Sequence, residues 1–232
     1  MSRVDDLAER LWTARERAVP LAEDQDWLGV DHERALEIAD QLYRRCAVPP
    51  DPRDVAAWKL GALDELTRHR LELPGPLVAP VLPGGLHTDV RQLPVRLAEL
   101  VDPKLEAEIG VLLDDGRPRL VPCVEIADCR FAGWALPVGC APADFGLQGS
   151  MVFGAAVEPV DLVQVTVRHE GVVVGQGSGA WTAATERVSL LPTPLGTGVY
   201  VATGSITAMI PAAAGTWEFD FGDAGTIVLD RA

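Results

Sequence analysis

The hydrophobic period changes along the chain, and that change limits the fold. Near the start, Leu7, Leu11 and Ala14 recur at helical spacing among charged residues, which predicts an amphipathic helix. A second helix is predicted from about Asp31 to Arg45. Ala35, Ile38, Ala39 and Leu42 form its apolar stripe, and Pro49-Pro50-Asp51-Pro52 stops it. Pro74 to Pro83 reads as an extended loop. After about residue 90 the period becomes two. Val163, Val165 and Val167 alternate with Gln164, Thr166 and Arg168, and His169-Glu170-Gly171 turns the chain into Val172-Val173-Val174. Trp217, Phe219 and Phe221 alternate with Glu218 and Asp220, and Gly222 to Gly225 turns into Thr226 to Leu229, a closing hairpin. Helices first and strands after predict an α+β protein built around a curved mixed sheet. A helical region over 1–53 and a β-rich core over 54–232 are expected to form one compact unit.

Charge and apolar runs narrow the function. The net charge is -14, a field that repels phosphate backbones, so nucleic acid is not an expected partner. No run of 18 apolar residues is present, so no membrane span is expected. Met1 to Leu7 lacks a signal-peptide apolar stretch, and Cys46, Cys123, Cys129 and Cys140 lack CxxC spacing. Reduced thiols in a cytoplasmic protein are expected. His32, His69, His87 and His169 have no ligand spacing and are expected to be mostly exposed. No nucleophile elbow, P-loop or dinucleotide fingerprint is present.

Three glutamates stand out against this background. Glu106 and Glu108 lie in Leu105-Glu-Ala-Glu-Ile109, and Glu125 lies in Pro122-Cys-Val-Glu-Ile126. Strand residues two apart share a face, so Glu106 and Glu108 sit side by side, opposite Leu105, Ala107 and Ile109. Glu125 can approach from an adjacent strand. Buried carboxylates are costly unless neutralised. Three of them with waters suit a hard divalent cation, magnesium or manganese. The competing reading of Glu106 and Glu108 alone is the wet face of an edge strand.

These segments resemble the 2-keto-4-pentenoate hydratase branch of the fumarylacetoacetate hydrolase superfamily. The resemblance runs through Leu105 to Leu113 and Val121 to Phe131, and takes in Trp58-Lys59-Leu60-Gly61, Ala143-Asp144 and Gly149 to Gly154. It continues through Gly175-Gln-Gly-Ser-Gly179, Thr203-Gly-Ser-Ile-Thr207 and Phe219 to Gly225. It implies that Glu106, Glu108 and Glu125 hold magnesium or manganese, and that the ion chelates a small 2-oxo acid and stabilises its enolate. It implies that Lys59 pairs with the substrate carboxylate or moves a proton; a surface lysine on a strand is the competing reading. Arg130 and Asp144 match a substrate-side segment, where Arg130 serves either substrate or a structural ion pair. Thr203 and Thr207 either contact substrate or serve a turn. Homo-oligomerisation, and association with a partner enzyme, are further implications.

The departures fall near the chemistry. The family's Asp-Phe-Gly after the lysine strand reads Leu73-Pro74-Gly75, and the usual Asp-Asn reads Asp144-Phe145. The Tyr and Gln typical of the second helix are Leu36 and Ala39. The segment between Leu113 and Val121 is short, and a helix between Ala183 and Leu195 is reduced. The expected function is a divalent-metal-dependent lyase, hydratase-like or decarboxylase. Two alternatives stand beside it: a metal-independent cyclase or isomerase with an apolar pocket, and a non-catalytic partner subunit.

Overall fold

Capping residues set the two first helices. In α1 (Arg3–Arg17) Ser2 and Asp5 form a capping box. In α2 (His32–Arg45) the Asp31 side chain accepts from the Arg34 amide at 2.9 Å. These details come from a computed structural model that describes residues 2–22, 25–115 and 117–231. Leu7, Leu11, Ala35, Ile38 and Leu42 bury their side chains together with Trp27, Phe131 and Phe145. The helical layer is thereby packed onto the long segment between two later strands.

The strands follow as β1 (Ala57–Gly61), then α3 (Glu65–Leu71), β2 (Leu77–Pro80), β3 (Leu86–His87) and β4 (Gln92–Val95). Next come β5 (Pro103–Asp114), β6 (Arg117–Asp128), β7 (Gln148–Phe153), β8 (Leu162–His169) and β9 (Val172–Ala180). The chain ends with α4 (Trp181–Arg187), β10 (Val199–Ser205), β11 (Ile210–Pro211), β12 (Trp217–Asp220) and β13 (Thr226–Arg231). One mixed sheet has the order β2-β1-β10-β5-β6-β7-β3, with β11 added along β5; a second has the order β4-β13-β12-β8-β9. The main core lies between them: Leu105, Ala107, Ile109, Val124 and Val201 face Val163, Val165, Val167, Phe219 and Ile227.

The predicted hairpins are present. Glu170 and Gly171, at φ 49° and 78°, close β8 onto β9 in the left-handed geometry that suits a two-residue turn. Two expectations are corrected. Pro74 to Pro83 is more than loop, because Leu77–Pro80 pairs antiparallel with β1. Pro80 is tolerated there because β2 is an edge strand. Among the histidines only His69 is exposed; His32, His87 and His169 are half-buried. All four cysteines are free.

Candidate metal centre

The β5–β6 hairpin assembles the acidic cluster. Its register runs from Asp114 opposite Arg117 to Pro103 opposite Asp128, which sets Glu106 across from Glu125 and Glu108 across from Cys123. Leu105, Ala107 and Ile109 turn into the main core. The pleat then directs Glu106, Glu108 and Glu125 to the other face of the sheet. One carboxylate oxygen from each lies within 4.8 Å of the others. Glu108 and Glu125 are 1% and 2% exposed, and Glu106 is half-buried. Val121, Cys123, Met151, Phe153 and Ala202 floor this face with apolar surface.

Lys59 reaches the same cluster from β1. Its ammonium donates to Glu125 Oε1 and, at 2.8 Å, to the Gly146 carbonyl. The lysine is 4% exposed, so the surface reading does not describe it. Three carboxylates against one ammonium leave two negative charges uncompensated when all are ionised. Without a cation Glu106 and Glu108 resist ionisation. Burial, then Glu125, push Glu106 up to about 7, against the opposing pull of Lys59. Burial and the two neighbouring glutamates push Glu108 well above the usual carboxylate range. An all-oxygen donor set with a net double negative charge fits a hard divalent cation. Glu106, Glu108 and Glu125 are the residues that would hold it.

Backbone groups orient these side chains. β10 carries a bulge: Ala202 pairs with Gly110 and Ser205 with Glu108, leaving one extra residue on β10. There the Gly204 amide donates to Glu108 Oε2 at 2.8 Å. Gly204 has φ 94°, and a Cβ at that position would overlap the Leu63 side chain, so glycine is required. The Thr203 hydroxyl donates to the Ile109 carbonyl at 2.7 Å, and the Ala107 amide donates to Thr207 Oγ1 at 3.0 Å. Both threonines thus bind the bulge to β5. On the other flank, Phe145, Gly146 and Leu147 are all left-handed, at φ 51°, 63° and 64°. The buried Gln148 amide fastens this turn by donating to the carbonyls of Phe145 and Pro80 at 2.9 and 2.8 Å. The turn in turn presents the Gly146 carbonyl to Lys59.

Arg130 and Asp144 are engaged with each other. The Arg130 Nε donates to Asp144 Oδ1 at 2.5 Å, and its Nη1 to Asp128 Oδ2 at 3.3 Å; all three residues are buried. Arg130 also donates to the Gln148 carbonyl at 3.0 and 3.1 Å. The structure therefore brings together Lys59, Glu106, Glu108, Glu125 and the Thr203–Thr207 segment, with Arg130 and Asp144 in a separate ion-pair network. Phe145 points its ring into the helical layer, with the guanidinium groups of Arg15 and Arg130 each 5.1 Å from the ring centroid. Leu73 is buried just past the end of α3. A cleft of about 640 Å³ lies elsewhere, lined by Arg15, Arg17, Arg96, Glu99, Asp128 and Ser150 among others. The backbone partners Gly146 and Gly204 were not identifiable as site groups from sequence. Their sequence signal is glycine itself: Gly204 lies within a segment that carries the resemblance, and Gly146 lies between two such segments.

No family model matches the chain. It is similar to the 2-keto-4-pentenoate hydratase of Burkholderia vietnamiensis, at 27% identity over 58% of this chain. That match spans 62% of the Burkholderia protein, less than two thirds of its length. The protein of the same name from Paraburkholderia phymatum is 24% identical over 97% of this chain and 96% of its own. Among solved structures, 4-oxalocrotonate decarboxylase from Pseudomonas putida G7, complexed with magnesium and adipate, superposes with a TM-score of 0.82. The identity is 20%, and the match covers 100% of this chain and 99% of that one, so the two share a fold.

Proposed function

We infer that this chain, a divergent member of the 2-keto-4-pentenoate hydratase branch of the fumarylacetoacetate hydrolase superfamily, is a divalent-metal-dependent lyase acting on a small 2-oxo acid or its enol. The observation that carries this reading is the convergence of three carboxylates, two buried and one half-buried, on one face of the sheet with a single lysine to offset them. Magnesium or manganese, held by Glu106, Glu108 and Glu125, would supply electron withdrawal from a chelated 2-oxo acid. The neighbour's complex with magnesium and adipate supports that choice of ion class.

The chain's own residues then divide the work. Lys59 sits beside Glu125 and is placed to serve a substrate carboxylate or a developing carbanion. The apolar floor formed by Val121, Met151 and Phe153 limits water around the cluster. Leu73 and Phe145 replace the acid and the amide that the resemblance leads one to expect. Hydration needs a positioned water and a proton donor, whereas decarboxylation needs mainly the electron sink. The loss of those two polar groups favours decarboxylation within the lyase class. The cysteine pattern is the ground for assigning the protein to the cytoplasm, and the resemblance is the ground for a homo-oligomer that associates with a partner enzyme. No helix among the described residues is long and apolar enough to cross a membrane.

The test uses metal-stripped protein and a 2-hydroxy-dienoate or related 2-oxo acid. Magnesium or manganese should restore turnover, and carbon dioxide release should distinguish decarboxylation from hydration. Turnover that survives both a chelator and Glu106→Gln would overturn the metal-dependent reading.

A further inference from the structure

One arginine addresses the metal cluster from behind a single peptide group. The peptide joining Thr203 to Gly204 is bonded at both ends. Its N–H donates to Glu108 Oε2 at 2.8 Å, and its carbonyl accepts from Arg187 Nη1, also at 2.8 Å. In a trans peptide the N–H and C=O point in opposite directions. The guanidinium and the Glu108 carboxylate therefore lie at opposite edges of one peptide group. The Arg187 bond is charge-assisted, and the Gly204 bond becomes so when Glu108 is ionised. The guanidinium draws electron density toward the carbonyl oxygen, which leaves the N–H a better donor to the carboxylate.

The surrounding structure leaves this peptide little freedom. It sits in the β10 bulge, and Gly204 takes a φ of 94° where a side chain would overlap Leu63. The Thr203 hydroxyl anchors the preceding residue to the Ile109 carbonyl at 2.7 Å. Arg187 ends α4, the short helix that follows the glycine-rich strand. Among the described residues its only hydrogen bond goes to the Thr203 carbonyl. It has no carboxylate partner there, in contrast to Arg130, which is closed off by Asp128 and Asp144. A guanidinium spent on one backbone oxygen behind a cluster of acids has a specific use.

We propose that Arg187 is a positioning residue for the metal centre: it holds the Thr203–Gly204 peptide so that the Gly204 amide keeps Glu108 turned into the triad. This rests on the metal-binding reading of Glu106, Glu108 and Glu125. Outer groups that orient a ligand typically change metal affinity by about 10- to 100-fold when removed. Arg187 does not touch the ion or the substrate in this role, and it acts through a backbone group that no substitution can delete directly.

Magnesium affinity, measured by calorimetry on metal-stripped protein, tests the proposal. The samples are wild type, Glu106→Gln, Arg187→Ala and Arg187→Lys. Arg187→Ala is expected to bind magnesium about 10- to 100-fold more weakly while its metal-free melting temperature stays near that of wild type. Arg187→Lys keeps the charge and a donor, and is expected to recover most of the affinity. Equal affinity in Arg187→Ala and wild type would overturn the proposal. So would a collapse of metal-free stability in both arginine variants, since that would make the role one of general packing. Wild type that binds no better than Glu106→Gln would instead overturn the metal reading itself.

Discussion

At the scale of single residues, Lys59 holds the balance of the cluster. It is the ammonium that offsets part of a triple negative charge, and its second bond goes to a neutral carbonyl rather than another acid. A cation at the triad and the ammonium therefore compete for Glu125. Lys59→Met separates the two roles assigned to this residue. Removing the ammonium frees Glu125 Oε1 and removes a like charge, so magnesium should bind more tightly. Turnover should still fall, by roughly 100-fold or more if Lys59 moves a proton. The pair of measurements is calorimetric affinity and kcat on the same protein. Weaker magnesium binding in Lys59→Met would show that the lysine buttresses the triad and would remove its role as competitor. Phe145 shows the opposite use of a residue. Its left-handed backbone costs about 1–2 kcal/mol, and its buried ring, in cation–π contact with two arginines, offsets that cost.

At the scale of elements, the glycine-rich strand β9 controls how closely the bulge loop can lie. Gly175, Gly177 and Gly179 alternate on one face. A Cβ on Gly177 would overlap the Ile206 carbonyl oxygen, and one on Gly179 would sit 2.7 Å from Ile206 Cγ2. The loop after β10 fills the space these side chains would need. That loop carries Thr207, the acceptor for the Ala107 amide between the two β5 glutamates. Gly177→Ala is therefore expected to cost about 1–3 kcal/mol by overpacking, and to weaken magnesium binding by lifting the loop. Gly171→Ala, at φ 78° in the exposed turn of the same hairpin, should cost about 1 kcal/mol and leave magnesium binding unchanged. Urea denaturation and calorimetry on both variants check the contrast. Equal effects on magnesium binding would sever β9 from the site.

The same elements show what the sequence could and could not reveal. β8, β9, β12 and β13 were legible because period two and turn glycines are local signals. The two helices were legible through their apolar stripes and, for the second, the prolines that stop it. β2 was hidden because Pro80 belongs to an edge strand, and edge pairing leaves no pattern in the strand itself. The glutamates were legible because each breaks an apolar run. Gly146 and Gly204 act through groups that every residue possesses, and their orientation is fixed by Gln148, Leu63 and a bulge register, all distant in sequence. Arg130 and Asp144 share a resemblance to a substrate-side segment, yet it is the fold that brings them into a bond with each other, 14 residues apart.

At the scale of the whole molecule, the site couples folding to pH and to metal. The two sheets share their core on one face, and the triad lies on the other, so ionising it charges a buried region without disturbing the core. Glu106 has a folded-state value of about 7 against an ordinary 4.5, and Glu108 lies well above its ordinary value. An acid raised in the folded state favours folding below its unfolded value, and that favourable contribution is lost as pH rises through the folded value. Metal-free protein should thus lose stability between about pH 5 and about pH 8, on the order of 3 kcal/mol from Glu106 alone. A bound divalent ion replaces the protons, so it should restore what the pH rise removes. Magnesium at 100 times its dissociation constant adds about 2.7 kcal/mol at any fixed pH. Because protons compete for the same oxygens, that constant should itself tighten from about pH 6 to about pH 8. The gain in melting temperature on adding a fixed magnesium concentration should therefore grow across that range. It should shrink to nothing in Glu106→Gln if Glu106 is both ligand and titrating group. A gain that is flat with pH in wild type would place the responsive acid elsewhere in the molecule.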